Sequence, residues 1–242
     1  MSIFALLSVE PHQVWWRILS EVSKHTNHSL KLYLKHIQFA RFHSSSTIAE
    51  YLAGEGYLSC LQYVHENGAR WDVTTCMNAN LDCLKYAHEN ACEWNELTCY
   101  YSALHNRVDC LKYAHEHGCE WTYTTAFAAA KNNHLECLKY CYENGCPRAP
   151  QYANAYYDTS SVMSTAASNG SLDCLKYLHE QQGESWTEAL LIVMTKYGHL
   201  DCIKYAIQRG TFSVTATLAR ELIGNTIRVS LQQRNDLFFC LG

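Results

Sequence analysis

The chain has 242 residues, 48% of them hydrophobic and 17% charged, with prolines only at 11, 147 and 150, so it is neither a disordered polymer nor a linker. A formal charge of −4 supplies no positive field to gather a phosphate backbone, which argues against generic nucleic-acid binding. Thirteen cysteines would suggest disulfides in a small secreted chain; here they recur at fixed positions and read as reduced thiols acting as small apolar side chains.

From the N-terminus, Met1 to Val9 is apolar between Ile3 and Leu7 but lacks a basic leading region and is too short for a signal peptide or a membrane span. A cytoplasmic or nuclear, reducing compartment is the expectation. Pro11 stands at a first helical position, and Val14, Trp15, Ile18, Leu19 and Val22 follow on one face of an amphipathic helix. Leu30, Leu32, Leu34, Ile37 and Phe39 belong to a second helix. Residues 1–45 are expected to form a helical cap on the array that follows, because an open solenoid end exposes its core.

That array is announced by Asp109-Cys110-Leu111-Lys112-Tyr113-Ala114-His115, a module whose relatives begin at Cys60, Cys83, Cys137, Cys174 and Cys202. Cysteine to cysteine, the steps are 23, 27, 27, 37 and 28 residues, a period near 27 with one shortened and one expanded unit. Such a period signals stacked supersecondary units. A helix-capping residue follows each tryptophan: Asp72 after Trp71, Asn95 after Trp94, Thr122 after Trp121 and Thr187 after Trp186. A first helix therefore starts there, with the tryptophan at N′ and Cys76, Cys99, Ala126 or Leu191 at N4, the spacing of a hydrophobic staple. Gly56, Asn106, Asn133, Gly170 and Gly198 tolerate positive φ and should close these helices. Second helices begin at Leu58, Leu81, Val108, Leu135, Leu172 and Leu200, with an acidic residue in most first turns. Gly68, Gly118, Gly145 and Gly210 should end them.

The run Thr165-Ala166-Ala167-Ser168-Asn169-Gly170-Ser171-Leu172-Asp173 resembles the ankyrin repeat pattern, in which two alanines lead through a glycine turn into the second helix. Gly198-His199-Leu200-Asp201 repeats the junction, and Ala129 to Glu136 is a close variant. The resemblance spans residues 46–212, and its wording is similar to the shortened ankyrin-type repeats expanded in giant DNA viruses and some protists. It implies an all-α, ankyrin-type solenoid of stacked helix-turn-helix repeats. An ordinary unit has about 33 residues, so this array should have shortened fingers.

Two units are irregular. The second lacks four residues between Trp71 and Cys83, which should shorten its first helix by about one turn and rotate its face by about 40°. After Cys146-Pro147-Arg148 the tryptophan is missing, and about ten extra residues, 149–158, form a projecting insertion carrying Tyr152, Tyr156 and Tyr157. Residues 213–242 keep the two-helix rhythm without Cys-Leu-Lys-Tyr and are expected to be a degenerate capping repeat.

No phosphate loop, nucleophile elbow or HExxH is present, and residues repeated in every unit make poor catalytic candidates. Cys110, His115 and Cys119 do not suit a zinc site, because ligands five apart on a helix differ by about 140° in direction and CxxC pairs are absent. His65, His88, His115 and His179 read as half-buried packing residues. Lys85, Lys112, Lys139 and Lys176, each four residues before a glutamate, read as a solvated helix face.

The expectation is a non-enzymatic protein-protein interaction scaffold, monomeric, without cofactor or metal, and engaging neither nucleic acid nor membrane. Its partner is another protein, met on the concave side by Tyr100, Tyr101, Tyr123 and Phe127 and by Tyr152, Tyr156 and Tyr157. Viral ankyrin proteins can carry an F-box-like segment, so the resemblance also implies a second reading: a substrate adaptor of a ubiquitin ligase docking through residues 1–45, although they show no clear Leu-Pro start. A third reading, an RNA-binding helical repeat, is disfavoured by the acidic balance.

Overall fold

The computed structural model describes residues 46–66, 68–148 and 161–209, and among them are twelve α-helices and no strand. The expectations for residues 1–45, Gly210, 213–242 and the 149–158 insertion with Tyr152, Tyr156 and Tyr157 lie outside the described residues. The chain divides into two compact units, Met1–Trp94 and Asn95–Gly242.

The first unit contains α1 (Ser46–Glu55), α2 (Leu58–Glu66), α3 (Val73–Asn78) and α4 (Leu81–Glu89). First helices α1 and α3 lie side by side, as do second helices α2 and α4. The shortened repeat is α3, with 6 residues against 9 in its regular counterparts α5 and α7. It ends without a left-handed residue: Ala79 is extended, and the Asn80 amide donates to the Ala53 carbonyl at 2.8 Å while its side chain caps the Cys83 amide. The lost turn is thereby replaced by a bond to the neighbouring repeat.

The second unit contains α5 (Glu96–Leu104), α6 (Val108–Glu116), α7 (Tyr123–Lys131), α8 (Leu135–Glu143), α9 (Val162–Asn169), α10 (Leu172–Glu180), α11 (Glu188–Tyr197) and α12 (Leu200–Arg209). Here α5, α7, α9 and α11 form one layer, and α6, α8, α10 and α12 a second. The first layer packs on small residues, including Ala103, Ala128, Ala129, Ala130, Ala166 and Ala167, all at most 2% exposed, which allow the helix backbones to approach closely. The second layer supplies the larger filler: Cys110 and Leu111, Cys137 and Leu138, Cys174 and Leu175, Cys202 and Ile203 are buried.

The expected helix starts are observed. Asp72, Asn95, Thr122 and Thr187 each accept a hydrogen bond from a first-turn amide of α3, α5, α7 and α11. All six second helices begin at the expected residue. The turns between paired helices take positive φ at Gly56, Asn106, Asn133, Gly170 and Gly198, as the residue types required.

Bonds between repeats then cap the helix ends. His134 bonds the Ala103 carbonyl at 2.9 Å, Ser171 donates to the Lys131 carbonyl at 3.4 Å, and His199 bonds the Ser168 carbonyl at 2.9 Å. Each acceptor lies at the end of a first helix, where carbonyls have no partner within the helix. In the opposite sense, Asn133 Oδ1 accepts from the Asp173 and Cys174 amides, both at 3.1 Å, and its Nδ2 donates to Asp173.

Candidate functional site

Where one repeat returns to the next, the side chains form a recurring aromatic clamp. His115, in the last turn of α6, lies face to face with Trp121, ring centres 3.8 Å apart, and its Nδ1 shares a 2.9 Å hydrogen bond with Tyr140 Oη of α8. Tyr140 presents its edge to both rings, at 5.7 and 5.9 Å. The first unit repeats the set with His65, Trp71 and Tyr86, at 3.6, 5.8 and 5.9 Å, with a 3.0 Å hydrogen bond. A looser copy holds His179, Trp186 and Tyr205. Trp71, Trp94 and Trp121 thus stack on the histidine of the preceding helix, while Trp186 meets His179 at a tilt, a use that staple spacing does not disclose. Lys112 and Lys176 stand 5.8 Å from the ring centres of Tyr140 and Tyr205, so these lysines meet the next repeat as well as solvent.

Where the tryptophan is missing, Arg148 takes its position, with its guanidinium 5.5 Å from the centre of the Tyr142 ring. Tyr142 replaces the clamp histidine and meets the edge of Tyr177 at 6.0 Å. Burial pushes the Tyr142 hydroxyl up, so it stays protonated through the neutral range.

The cysteines of the described residues are free, and all but Cys146 are buried. Three of them hold the returns between repeats. Cys92, Cys119 and Cys146 donate to the carbonyls of Asp72, Asn95 and Thr122 at 3.3, 3.1 and 3.3 Å, so each pins a return to the N-cap of its own repeat. Burial pushes the Cys137 and Cys174 thiols up to about 12 and Cys202 to about 11, which keeps them protonated and inert near neutrality. Among the described residues no group of three or more His, Cys, Asp or Glu side chains is placed to hold a metal ion. No helix among them is long and apolar enough to cross a membrane.

Among the described residues of the second unit, α5 and α7 keep large side chains exposed or half-buried on the side turned away from the stack. On α5, Thr98, Cys99, Ser102 and Ala103 point into the stack, whereas Leu97 is 38% exposed and Tyr100 and Tyr101 are half-buried. On α7, Tyr123 is 39% exposed and Phe127 half-buried. The rings pair within each helix: Tyr100 and Tyr101 at 5.3 Å, Tyr123 and Phe127 at 5.8 Å, both edge to face. Four of the seven aromatic residues singled out from the sequence therefore share two adjacent helices. Leu97 and the more exposed Tyr197, at 57%, were missed. Leu97 lies one turn before Tyr101 and was detectable from helical spacing; Tyr197 adjoins the α11 turn and carries no periodic signal.

Residues 99–189 match the family model described as ankyrin repeats, in three copies. The fold is similar to the crystal structure of the human ASB11 ankyrin repeat domain, with 15% identity and a TM-score of 0.55, over 73% of this chain and 96% of that one. No curated protein matches the sequence significantly. Paired helices closed by left-handed turns and stacked on small residues give the chain an all-α, ankyrin-type solenoid fold, and the stretch from α6 to α10 lies within the residues that match the ankyrin repeat model.

Proposed function

We propose that this chain is a non-enzymatic scaffold that holds another protein on the open face of α5 and α7. The carrying observation is the group of large side chains on α5 and α7, Leu97 and Tyr123 exposed and Tyr100, Tyr101 and Phe127 half-buried, on helices whose buried side is built from small residues such as Thr98, Cys99, Ser102, Ala103, Thr125 and Ala126. Tyrosine and phenylalanine bring large contact area at little entropic cost, and such residues dominate interface energetics. Ankyrin repeats generally mediate protein-protein interaction, which supports the reading. Tyr152, Tyr156 and Tyr157 extend the proposed contact from the insertion.

The test is comparative capture from the native cell. Tyr123→Ala combined with Leu97→Ala should weaken retention of the partner by about 30-fold, the effect of losing about 2 kcal/mol of hot-spot contact. Deletion of 149–158 should weaken it further. Capture at the wild-type level by variants with native circular dichroism removes the face or the insertion from the site, respectively.

A further inference from the structure

The return after α8 departs from its equivalents at one residue. Where α4 and α6 close, the Cys92 and Cys119 amides reach back to the Ala87 and Ala114 carbonyls, both at 2.9 Å; after α8 the Cys146 amide reaches back to the Cys141 carbonyl, also at 2.9 Å. With Gly145 at φ 75, this six-to-one closure is a Schellman motif, whose two end residues bring their side chains together. Those two closures pair alanine with cysteine and the one after α2 pairs Val64 with Ala69, whereas this one pairs two cysteines.

Their surroundings differ. Cys141 is fully buried, whereas Cys146 is the one described cysteine that is not. A hydrogen bond between the two thiols draws Cys146 below the usual thiol range, and the same bond together with burial pushes Cys141 up. A part-buried sulfur drawn towards the thiolate beside a fully buried one held as the thiol is the arrangement of an attacking thiol and its resolving partner.

We propose that Cys146 and Cys141 form an oxidation site, at which a hydroperoxide converts the pair to a disulfide. The Cys146 thiolate attacks the peroxide; an S–O bond forms, the O–O bond breaks, and the leaving oxygen takes a proton to become water or an alcohol. Cys141 gives its proton to the departing hydroxyl as its sulfur attacks the sulfenic sulfur, so the S–S bond forms, the S–O bond breaks and water leaves. Two thiols lose two electrons together, and the peroxide gains them. In the reduced chain Cys146 donates to the Thr122 carbonyl at 3.3 Å. The disulfide has no S–H, so oxidation releases this return from the N-cap of α7, two residues before Arg148 and its contact with Tyr142. Cys99 and Cys119 also share a hydrogen bond, but they are 0% and 3% exposed, which shields them from an oxidant.

The experiment exposes the full chain to a few equivalents of hydrogen peroxide, denatures it, alkylates the remaining thiols and digests with trypsin. Cleavage after Lys139 and Arg148 releases residues 140–148 with both cysteines. From the native chain this peptide should emerge unalkylated and lighter by two hydrogens, with Cys99 and Cys119 fully alkylated. Cys141→Ala, which installs the alanine of the equivalent closures, should halt with Cys146 as a sulfenic acid captured by a cyclic dione. Cys146→Ser should leave Cys141 a thiol. Recovery of the native peptide doubly alkylated, or oxidation of Cys99 and Cys119 at the same rate, overturns the proposal.

Discussion

Ala91 occupies, at φ 60, the left-handed position that glycine holds in Gly68, Gly118 and Gly145. The Cβ makes that conformation costly by about 1–2 kcal/mol, part of which is offset by the lower entropy of unfolded alanine. Ala91→Gly is therefore expected to stabilise the chain by about 0.5–1 kcal/mol, read as a higher urea midpoint. Two other turns separate strain from contact. Gly198, at φ 76, has nothing within 4 Å of an added Cβ, while at Gly170, at φ 70, the same atom would stand 2.5 Å from the His199 ring. That ring is held by its 2.9 Å bond to the Ser168 carbonyl and cannot simply swing away. Gly198→Ala should cost about 1 kcal/mol, and Gly170→Ala at least about 1 kcal/mol more by chemical denaturation. The left-handed turns were legible because glycine and asparagine announce them. Ala91 was not, having no such preference, and neither was Gly183, which sits one residue outside the regular spacing.

The clamp is a property of elements. Trp121 joins the end of α6 to the start of α7 and the edge of α8 through His115 and Tyr140. Trp121→Ala should cost about 3 kcal/mol, the lower end for tryptophan because the ring is only half-buried. Arg148→Ala, at the equivalent place, should cost no more than about 1 kcal/mol, since an exposed cation-π contact is weak. Thermal melts of both variants check the contrast; equal losses would mean the stacked rings add nothing to helix capping. The sequence located each tryptophan beside a capping residue and so placed the helix starts. The ring's true partners, a histidine in the helix before and a tyrosine in the helix after, follow no local spacing.

For the molecule as a whole, the buried thiols set a pH limit. The ordinary thiol value is 9.0, and burial raises Cys137 and Cys174 to about 12 and Cys202 to about 11. Below pH 9 folded and unfolded chains both keep these protons and the contribution is complete. Above it the unfolded chain releases protons that the folded chain retains, so stability falls as pH rises towards the folded values. Helix content followed by circular dichroism should be steady to about pH 9 and lost cooperatively before about pH 12. In Cys174→Ala the slope of stability against pH should be shallower by about 1.4 kcal/mol per pH unit in that window. Sequence alone determined the period, the helix starts, the left-handed turns and the thiol-lined core, because these depend on backbone geometry and burial within one repeat. Only the tertiary structure decided that histidine stacks on tryptophan, that Asn133 caps a helix 40 residues on, and that Leu97 and Tyr123 remain uncovered. Such pairings arise from how one repeat is set against the next, and the spacing of residues along a single helix does not specify that offset.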